Sequence, residues 1–271
     1  MKTNRNKYKL VVLTDLNPST KTVLKSAIGL AKMIGGEIEV FHVKKPSEIV
    51  DSENQLSAMR TINSKHRTIH KEFQSLIRPL SEEYNMKIPY SFRFGNVKHE
   101  IDDFIKEIKP DILVLGKRRS KPFTLIGDGI TEYILKTFKG VVLINSDKEV
   151  LVPNKENSFG ALNSPKPFSD LEFAEDLIKH TQKPLKAFKL VKNSNAVRDT
   201  SETLDVKTID YVFEHNDSSI QNLSNYLSKN NISILTIDRA GQDPDSEQKF
   251  ITPNINSVIS KLETTLLISG K

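Results

Sequence analysis

Residues 111–144 read DILVLGKRRSKPFTLIGDGITEYILKTFKGVVLI. The apolar run at the start predicts a buried strand over residues 111–115, followed by a basic, glycine-containing loop over 116–128. ITEYILKTF has apolar residues at helical spacing and predicts a helix over 129–138. KGVVLI predicts a second buried strand over 140–144. A strand, a helix and a second strand in this order predict a parallel βαβ unit.

The same alternation fills the chain upstream of this unit. KLVVL predicts a strand, and Ser19 is the predicted N-cap of a helix that ends at Gly35 and Gly36. Further elements are predicted as a strand over 38–43, a long helix over 53–84 that Pro79 kinks or restarts, a strand over 88–94 and a helix over 97–108. The order βαβαβαβαβ predicts an α/β doubly wound layer.

The second half of the chain repeats this order with losses. Predicted elements are a strand over 159–162, a helix over 168–181, strands over 185–191 and 206–213, a helix around 220–227, and strands over 232–237 and 264–268. The last two strands match DILVL and GVVLI of the first half. We therefore predict two tandem domains, 1–148 and 149–271. In the polar linker between them EVLVP is a candidate edge strand, and KGVVLI is suited to pairing with TTLLI.

Composition narrows the class of protein. The chain has 271 residues and no cysteine, which excludes disulfides and thiolate chemistry. It has no run of 18 apolar residues and no signal-like N-terminus, so a cytoplasmic protein without a membrane span is expected. Residues 1–148 hold 26 Lys and Arg against 17 Asp and Glu (+9), and residues 149–271 hold 14 against 17 (−3). The basic half suits either an anionic ligand or a solvated surface, and no nucleic-acid-binding motif is present.

The first half resembles the universal stress protein family. The residues that carry the resemblance are VVLTDLNPST, EVFHV, FRFGNVKHEI, KPDILVLGKRR and GITEYILKTFKGVVLI, and they cover nearly all of residues 8–145. Residues 155–271 resemble the family by element order and form a degenerate copy. The resemblance implies two tandem adenine nucleotide alpha hydrolase-like domains, each a five-stranded parallel sheet with helices on both faces. It also implies pairing through the last strand, here as an intrachain pseudo-dimer in a monomer or a homodimer.

The phosphate motif of the family's nucleotide-binding members is incomplete in this chain. That motif is Gly, two residues, Gly, nine residues, Gly, then Ser or Thr, and its glycines let backbone N–H groups approach phosphate oxygens. Gly116 matches the first glycine, and Arg119 stands at the second. One register then places Gly129 at the third glycine and Ile130 at the hydroxyl. The other register places Asp128 at the third glycine and Gly129 at the hydroxyl.

Two readings of this loop compete. Lysine and arginine side chains could replace the missing backbone donors. Against this, Asp128 is a predicted N-cap whose carboxylate would occupy the anion position, and we favour this occluded site. The resemblance also implies Asp15 as the adenosine-side acid and Val43 as the adenine-packing residue. The candidate nucleotide cleft, which could be vestigial, comprises Asp15, Val43, Gly116, Lys117, Arg119, Gly127, Asp128, Gly129 and Ile130.

Catalytic and metal-binding patterns are absent from the sequence. It has no G-x-S-x-G elbow, no H-E-x-x-H and no complete P-loop. His66 and His70 have metal-ligand spacing without a third ligand and are predicted to be an exposed structural pair, and His42 is predicted to be a satisfied interior histidine. We expect a non-enzymatic stress-response or regulatory module with no cofactor and an unidentified protein partner. The alternative is an adenine-nucleotide-binding protein that holds ATP with Mg²⁺ and hydrolyses it slowly.

Overall fold

The computed structural model describes residues 7–45, 55–117, 129–153, 157–164, 168, 171–191, 208–216, 218–239 and 254–270. Ten strands are present in these residues: β1 (Tyr8–Thr14), β2 (Gly36–Lys44), β3 (Tyr90–Phe94), β4 (Ile112–Gly116), β5 (Val141–Asn145), β6 (Ser158–Leu162), β7 (Leu185–Val191), β8 (Thr208–Glu214), β9 (Ile232–Ile237) and β10 (Thr265–Ile268). The helices are α1 (Thr20–Ile34), α2 (Gln55–Tyr84), α3 (Val97–Ile108), α4 (Ile130–Thr137), α5 (Ala174–Ile178), α6 (Ser219–Lys229) and α7 (Ile255–Lys261).

All ten strands form one continuous sheet in the order β3-β2-β1-β4-β5-β10-β9-β6-β7-β8. Every neighbouring pair is parallel except β5 and β10, which are antiparallel. Leu143 lies opposite Leu267 at this joint, which confirms the predicted pairing of KGVVLI with TTLLI. The two halves have the same strand order, counted outward from the joint, so the predicted α/β fold is confirmed.

Apolar side chains cover both faces of the sheet. One core includes buried residues of α1, α2 and the α5 region, and the other includes buried residues of α3, α4, α6 and α7. The central strands β4, β5 and β10 are almost wholly apolar, as expected for strands that are buried on both faces, whereas the edge strands β3 and β8 are partly exposed. None of the helices in the described residues combines the length and the apolar character that a bilayer-spanning segment needs.

Long helix α2 does not restart at Pro79, contrary to one of the predicted outcomes. The helix is continuous from Gln55 to Tyr84. Ile77 and Leu80 are buried on either side of the proline, whose own position is exposed. Tertiary packing of these neighbours holds the helix together although proline removes one backbone donor.

The predicted helix over 168–181 is much shorter in the structure. Among the residues of this range that the structure describes, 168 and 171–181, Ala174–Ile178 alone is helical, and Phe168 has a left-handed φ of 66° that a helix excludes. Phe168 and Phe173 are both buried, at 3% and 2% exposure. The apolar spacing that suggested a longer helix therefore reflects burial of an irregular segment in the core.

The candidate edge strand in EVLVP is wrong. Residues 149–153 form no strand, and the Leu151 side chain is buried against α1. Leu151 N donates to Ser26 Oγ (3.2 Å), and a Cβ on Gly29 would lie 2.1 Å from Leu151 O. Gly29 is therefore the residue that lets the connecting segment cross α1 in direct contact with its backbone.

Candidate functional site

A cleft of about 1030 Å³ lies at the carboxyl ends of β1, β2 and β4. Strand order reverses between β1 and β4, and open α/β sheets bind ligands at such a switch point. Six of the nine predicted site residues line this cleft, and the other three lie outside the described residues. Those that line it are Asp15, Val43, Gly116, Lys117, Gly129 and Ile130; those outside are Arg119, Gly127 and Asp128.

The cleft has an apolar end beside β2. Phe41 is 1% exposed and stacks on Phe104 of α3 with the ring centroids 3.9 Å apart and the planes 3° apart. The guanidinium of Arg93 lies over both rings, 5.8 Å and 5.6 Å from their centroids. Val43, two residues on, lines the same end. Phe41 is therefore enclosed by its neighbours, and the partly buried Val43 is the side chain that gives this end its apolar surface for a ligand ring.

The turn between β1 and α1 supplies the polar rim. Asn17 Oδ1 accepts hydrogen bonds from Ser19 N (2.9 Å) and Ser19 Oγ (2.6 Å), and Asp15 Oδ1 accepts one from Asn17 N (3.3 Å). Leu16 has a left-handed φ of 58°. Ser19 occupies the N-cap position but its side chain makes no capping hydrogen bond. The predicted N-cap position of Ser19 is confirmed, but its hydroxyl donates to Asn17 Oδ1 and does not accept a hydrogen bond from the first turn of the helix.

His42 lies in the cleft wall as a satisfied interior histidine, as predicted. It is 6% exposed, and its Nδ1 lies 2.8 Å from Thr14 O. Because a carbonyl oxygen can only accept, Nδ1 carries the hydrogen. Burial lowers the pKa of the imidazole from its ordinary value. The side chain therefore supports the end of β1 as a neutral ring.

The fold explains the presence of glycine at both Gly116 and Gly129 without any ligand. A Cβ on Gly116 would lie 2.9 Å from Val23 Cγ2, so glycine permits the close approach of β4 to α1. Gly129 has a left-handed φ of 56° and holds the N-cap position of α4, where Tyr133 N donates to its carbonyl (2.8 Å). The predicted Asp128 N-cap is wrong, because the helix begins one residue later than that prediction requires.

Lys117 reaches away from the first half of the chain. Its backbone N donates to Asn145 O (3.0 Å), and its Nζ donates to the carbonyl of Leu262, the C-cap residue of α7. This lysine was predicted as a candidate phosphate ligand. In the structure its ammonium group joins the two halves.

Arg239 makes the reciprocal contact from the second half. Aligning ILVLGK (112–117) with ILTIDR (234–239) makes Arg239 the counterpart of Lys117. Arg239 is 6% exposed, and its Nη1 donates to Phe138 O (2.8 Å), the C-cap carbonyl of α4, and to Leu135 O (3.1 Å). Its Nε donates to Ser269 O (2.5 Å), and its Nη2 donates to Gly140 O. Each half therefore places a cation at the C-terminus of the other half's last helix.

The second half also forms a wall of the first-half cleft, which sequence reasoning missed. Helix α7 and the residue after its C-cap contribute five lining residues: Asn256, Ile259, Ser260, Lys261 and Glu263. Glu263 pairs with Lys148 (2.5 Å). The signal was available in the β5–β10 pairing, because that pairing carries α7 to the edge of the cleft.

His66 and His70 contact neighbouring side chains and form an exposed structural pair, as predicted. His66 packs on Phe92 with the ring centroids 4.6 Å apart. His70 Nδ1 lies 2.8 Å from the Tyr90 hydroxyl, and its Nε2 lies 3.1 Å from the Gln74 amide nitrogen. Within the described ranges no group of three or more His, Cys, Asp or Glu side chains could hold a metal ion.

Comparisons with known proteins agree with this architecture. The model of the family described as "Universal stress protein family" matches residues 8–145, just over half of the chain. A universal stress protein from Archaeoglobus fulgidus DSM 4304 is 16% identical with a TM-score of 0.68, and the match covers 97% of this chain and 96% of that one. A putative universal stress protein from Pseudomonas aeruginosa UCBPP-PA14 is 12% identical with a TM-score of 0.56, covering 98% and 94%. A functionally unknown protein from Pseudomonas aeruginosa PAO1 is 11% identical with a TM-score of 0.53, covering 97% and 92%. The search of curated proteins gave no match. At these identities the structural likeness concerns the fold alone.

Proposed function

Because the chain belongs to the universal stress protein family, we propose that it is a stress-response module that acts through protein contacts and not through catalysis. The observation that carries this proposal is the bond from Lys117 Nζ to the carbonyl of Leu262. A cation that would serve a triphosphate in this loop is instead engaged with the second half. Because the Lys117 ammonium is bonded to the second half, it contributes less to the affinity of the cleft for phosphate.

The electrostatics of the cleft support the same proposal. Among the described residues that line it, four acids face four lysines: Asp15, Glu132, Asp147 and Glu263 against Lys44, Lys45, Lys117 and Lys261. A site of this composition gives little net attraction for a triphosphate. Glu132 also lies in the first turn of α4, where a carboxylate satisfies the positive end of the helix dipole. The side chain of Ile130, one of the two residues at the candidate hydroxyl position, has no hydrogen-bonding group.

The histidine of the described cleft wall is poorly placed for acid–base catalysis. His42 is buried and uses Nδ1 on Thr14 O. Its lowered pKa keeps the ring neutral near pH 7. These features fit a supporting role for the imidazole in β1 and β2.

A titration of the whole chain with ATP and Mg²⁺ tests the proposal. We expect a dissociation constant of about 1 mM or weaker by isothermal titration calorimetry, since a weak site yields only about 4 kcal/mol of binding free energy. Stoichiometric binding at micromolar concentration would overturn the weakened phosphate site.

A second candidate function is adenine-nucleotide binding in the first half, with slow hydrolysis of ATP. The observation that favours it is the open cleft, whose volume of about 1030 Å³ and apolar end at Val43 suit a nucleotide. This candidate predicts that Arg119→Ala weakens ATP binding and that Asp128→Gly strengthens it, with inorganic phosphate released on long incubation. If neither substitution changes the affinity, the loop does not hold phosphate.

We further propose that residues 1–148 and 149–271 are the two domains and that their joint replaces a dimer contact. The β5–β10 pairing and the two cross-half cations support this division. An intrachain pseudo-dimer uses its last strands internally, so a monomer is expected. Light scattering coupled to size-exclusion chromatography checks this expectation, and a stable dimer at micromolar concentration would contradict it.

A further inference from the structure

Helix α7 is held rigidly against the cleft of the first half. Lys117 Nζ bonds to the Leu262 carbonyl, Lys148 pairs with Glu263, and Ser146 N donates to Thr265 Oγ1 (3.1 Å). At the other end of the helix, Asn254 Oδ1 accepts from Asn256 N (2.9 Å) and fixes the first turn. Val258 and Leu262 bury its apolar side, at 1% and 0% exposure. The face of α7 that lines the cleft is therefore fixed before any ligand binds.

This face offers the donors that the first-half loop has lost. Asn256 brings an amide, Ser260 a hydroxyl and Lys261 an ammonium group to the cleft. All three positions are exposed. The Ser260 hydroxyl donates to Ser257 O (2.9 Å), so it has to rotate away from its own helix to reach a ligand. Such groups hydrogen-bond phosphate oxygens, and the ammonium group adds a charge-assisted bond.

Sheet order decides which end of a ligand would meet this face. The apolar end of the cleft lies at β2, whereas β10, which follows α7, lies beyond β4 and β5. A ligand whose ring packs on Val43 therefore directs its polar end across β4 toward α7.

We propose that α7 of the second half is a recognition wall of the first-half cleft, and that Asn256, Ser260 and Lys261 bind the phosphate end of an adenine nucleotide. This proposal rests on the second candidate function above. It assigns a ligand contact to the second half of the chain, whose own loop sequence, DRAGQDPDSEQKF (238–250), holds four acidic residues against two basic ones. It also makes the two halves one binding unit, because neither half alone carries both ends of the site.

The test compares ATP with adenosine as probes of the full-length chain. In Lys261→Met we expect ATP affinity to fall about three- to tenfold, because one charge-assisted contact is lost, while adenosine affinity stays unchanged. Lys229→Met is the matched control, because Lys229 is the last residue of α6 as Lys261 is of α7, and both are exposed. The control should bind both probes as the wild type does. Ser260→Ala and Ser257→Ala give a second pair on α7, and only the former should weaken ATP binding.

The outcomes separate this proposal from the function on which it rests. If the wild type binds ATP, and the variants Lys261→Met and Ser260→Ala bind it with the same affinity, then α7 does not bind the phosphate end. Nucleotide binding by the first half would be unaffected by that result. If both probes weaken together in Lys261→Met, the substitution has damaged the cleft and the assigned phosphate contact is wrong. If the wild type binds neither probe, the second candidate function and the wall are both wrong. As a further readout, ATP should shift the methyl resonances of Ile259 and Ile130 together, and a shift of Ile130 alone would also overturn the wall.

Discussion

Replacing Arg239 with methionine should destabilise the whole chain, because this one side chain donates to four carbonyl groups and joins the halves through three of them. Three of these carbonyls belong to the first half and one, that of Ser269, belongs to the second. Methionine keeps much of the side-chain length and apolar volume but donates no hydrogen bond. The substitution therefore isolates the bonds from the packing.

The magnitude follows from the number of bonds and from burial. Each hydrogen bond contributes about 0.5–1.5 kcal/mol net, so four give roughly 2–6 kcal/mol. At 6% exposure the guanidinium has lost most of its hydration, and methionine removes this desolvation cost, which offsets part of the loss. We therefore expect the free energy of unfolding to fall by about 2–4 kcal/mol.

Urea denaturation followed by far-ultraviolet circular dichroism and by tyrosine fluorescence measures this change. Because the joint is weakened, the two signals should also separate along the urea axis, as expected when cooperation between the halves is lost. Arg239→Lys should recover part of the stability, since lysine keeps the charge but cannot reach four acceptors. Lys117→Met removes the counterpart bond to the Leu262 carbonyl, and this loss should cost about 1 kcal/mol.

A loss below about 0.5 kcal/mol in Arg239→Met, the range of ordinary surface substitutions, would refute this reasoning. Such a result would mean that water replaces the guanidinium as the hydrogen-bond donor to these carbonyls at little cost in free energy. A large loss in Lys117→Met with none in Arg239→Met would contradict the ranking of the two cations by burial.

Three further substitutions test the supports of the cleft. Phe41→Ala should lower the free energy of unfolding by about 3–5 kcal/mol in urea denaturation, because a fully buried ring that stacks on a neighbour is lost, and a loss under about 1 kcal/mol would contradict the packing. Gly129→Ala should cost about 1–2 kcal/mol in thermal unfolding, because its φ of 56° is unfavourable for alanine while a Cβ there meets nothing within 4 Å; unchanged stability would show that α4 begins differently. Burial lowers the pKa of His42, so below pH about 6.5 the unfolded chain binds a proton at this residue more readily than the folded chain does. The free energy of unfolding of the wild type should therefore fall as the pH falls through this range, and His42→Gln should flatten this pH dependence. An equal change in His99→Gln, at an exposed histidine, would contradict the assignment to His42.

The fold could be predicted from sequence wherever strands are fully buried. Runs such as DILVLG and KGVVLI leave no alternative to a parallel sheet with both faces covered. The prediction failed where buried apolar residues do not belong to a regular helix or strand. Around Phe168 the apolar residues recur at helical spacing although the backbone is irregular, and Leu151 is buried without belonging to a strand. Periodicity reports which residues are inside and not which hydrogen bonds the backbone makes.

The site was predictable in position but less so in detail. Strand ends at a topological switch point meet wherever the order reverses, so Asp15, Val43 and Gly116 were expected to lie together, and they line one cleft. The partner of Lys117 was not predictable, because it lies 145 positions away in the chain. The joint itself was predicted, because KGVVLI was expected to pair with TTLLI. The contribution of α7 was missed because the sequence pattern does not give the position of this helix relative to the cleft.

The pseudo-twofold relation at the joint explains why a cation stands after both β4 and β9. Leu143 and its counterpart Leu267 face each other across the antiparallel pair. This symmetry brings the C-terminus of each last helix beside the end of the opposite half's neighbouring strand. A helix C-terminus carries unsatisfied carbonyls and the negative end of the helix dipole, so a lysine or arginine at that strand end is stabilising with or without a ligand. Lys117 and Arg239 fill these two equivalent places. The basic residue that begins the loop KRR is therefore accounted for by the joint, and evidence for phosphate binding has to come from the remaining residues of the cleft.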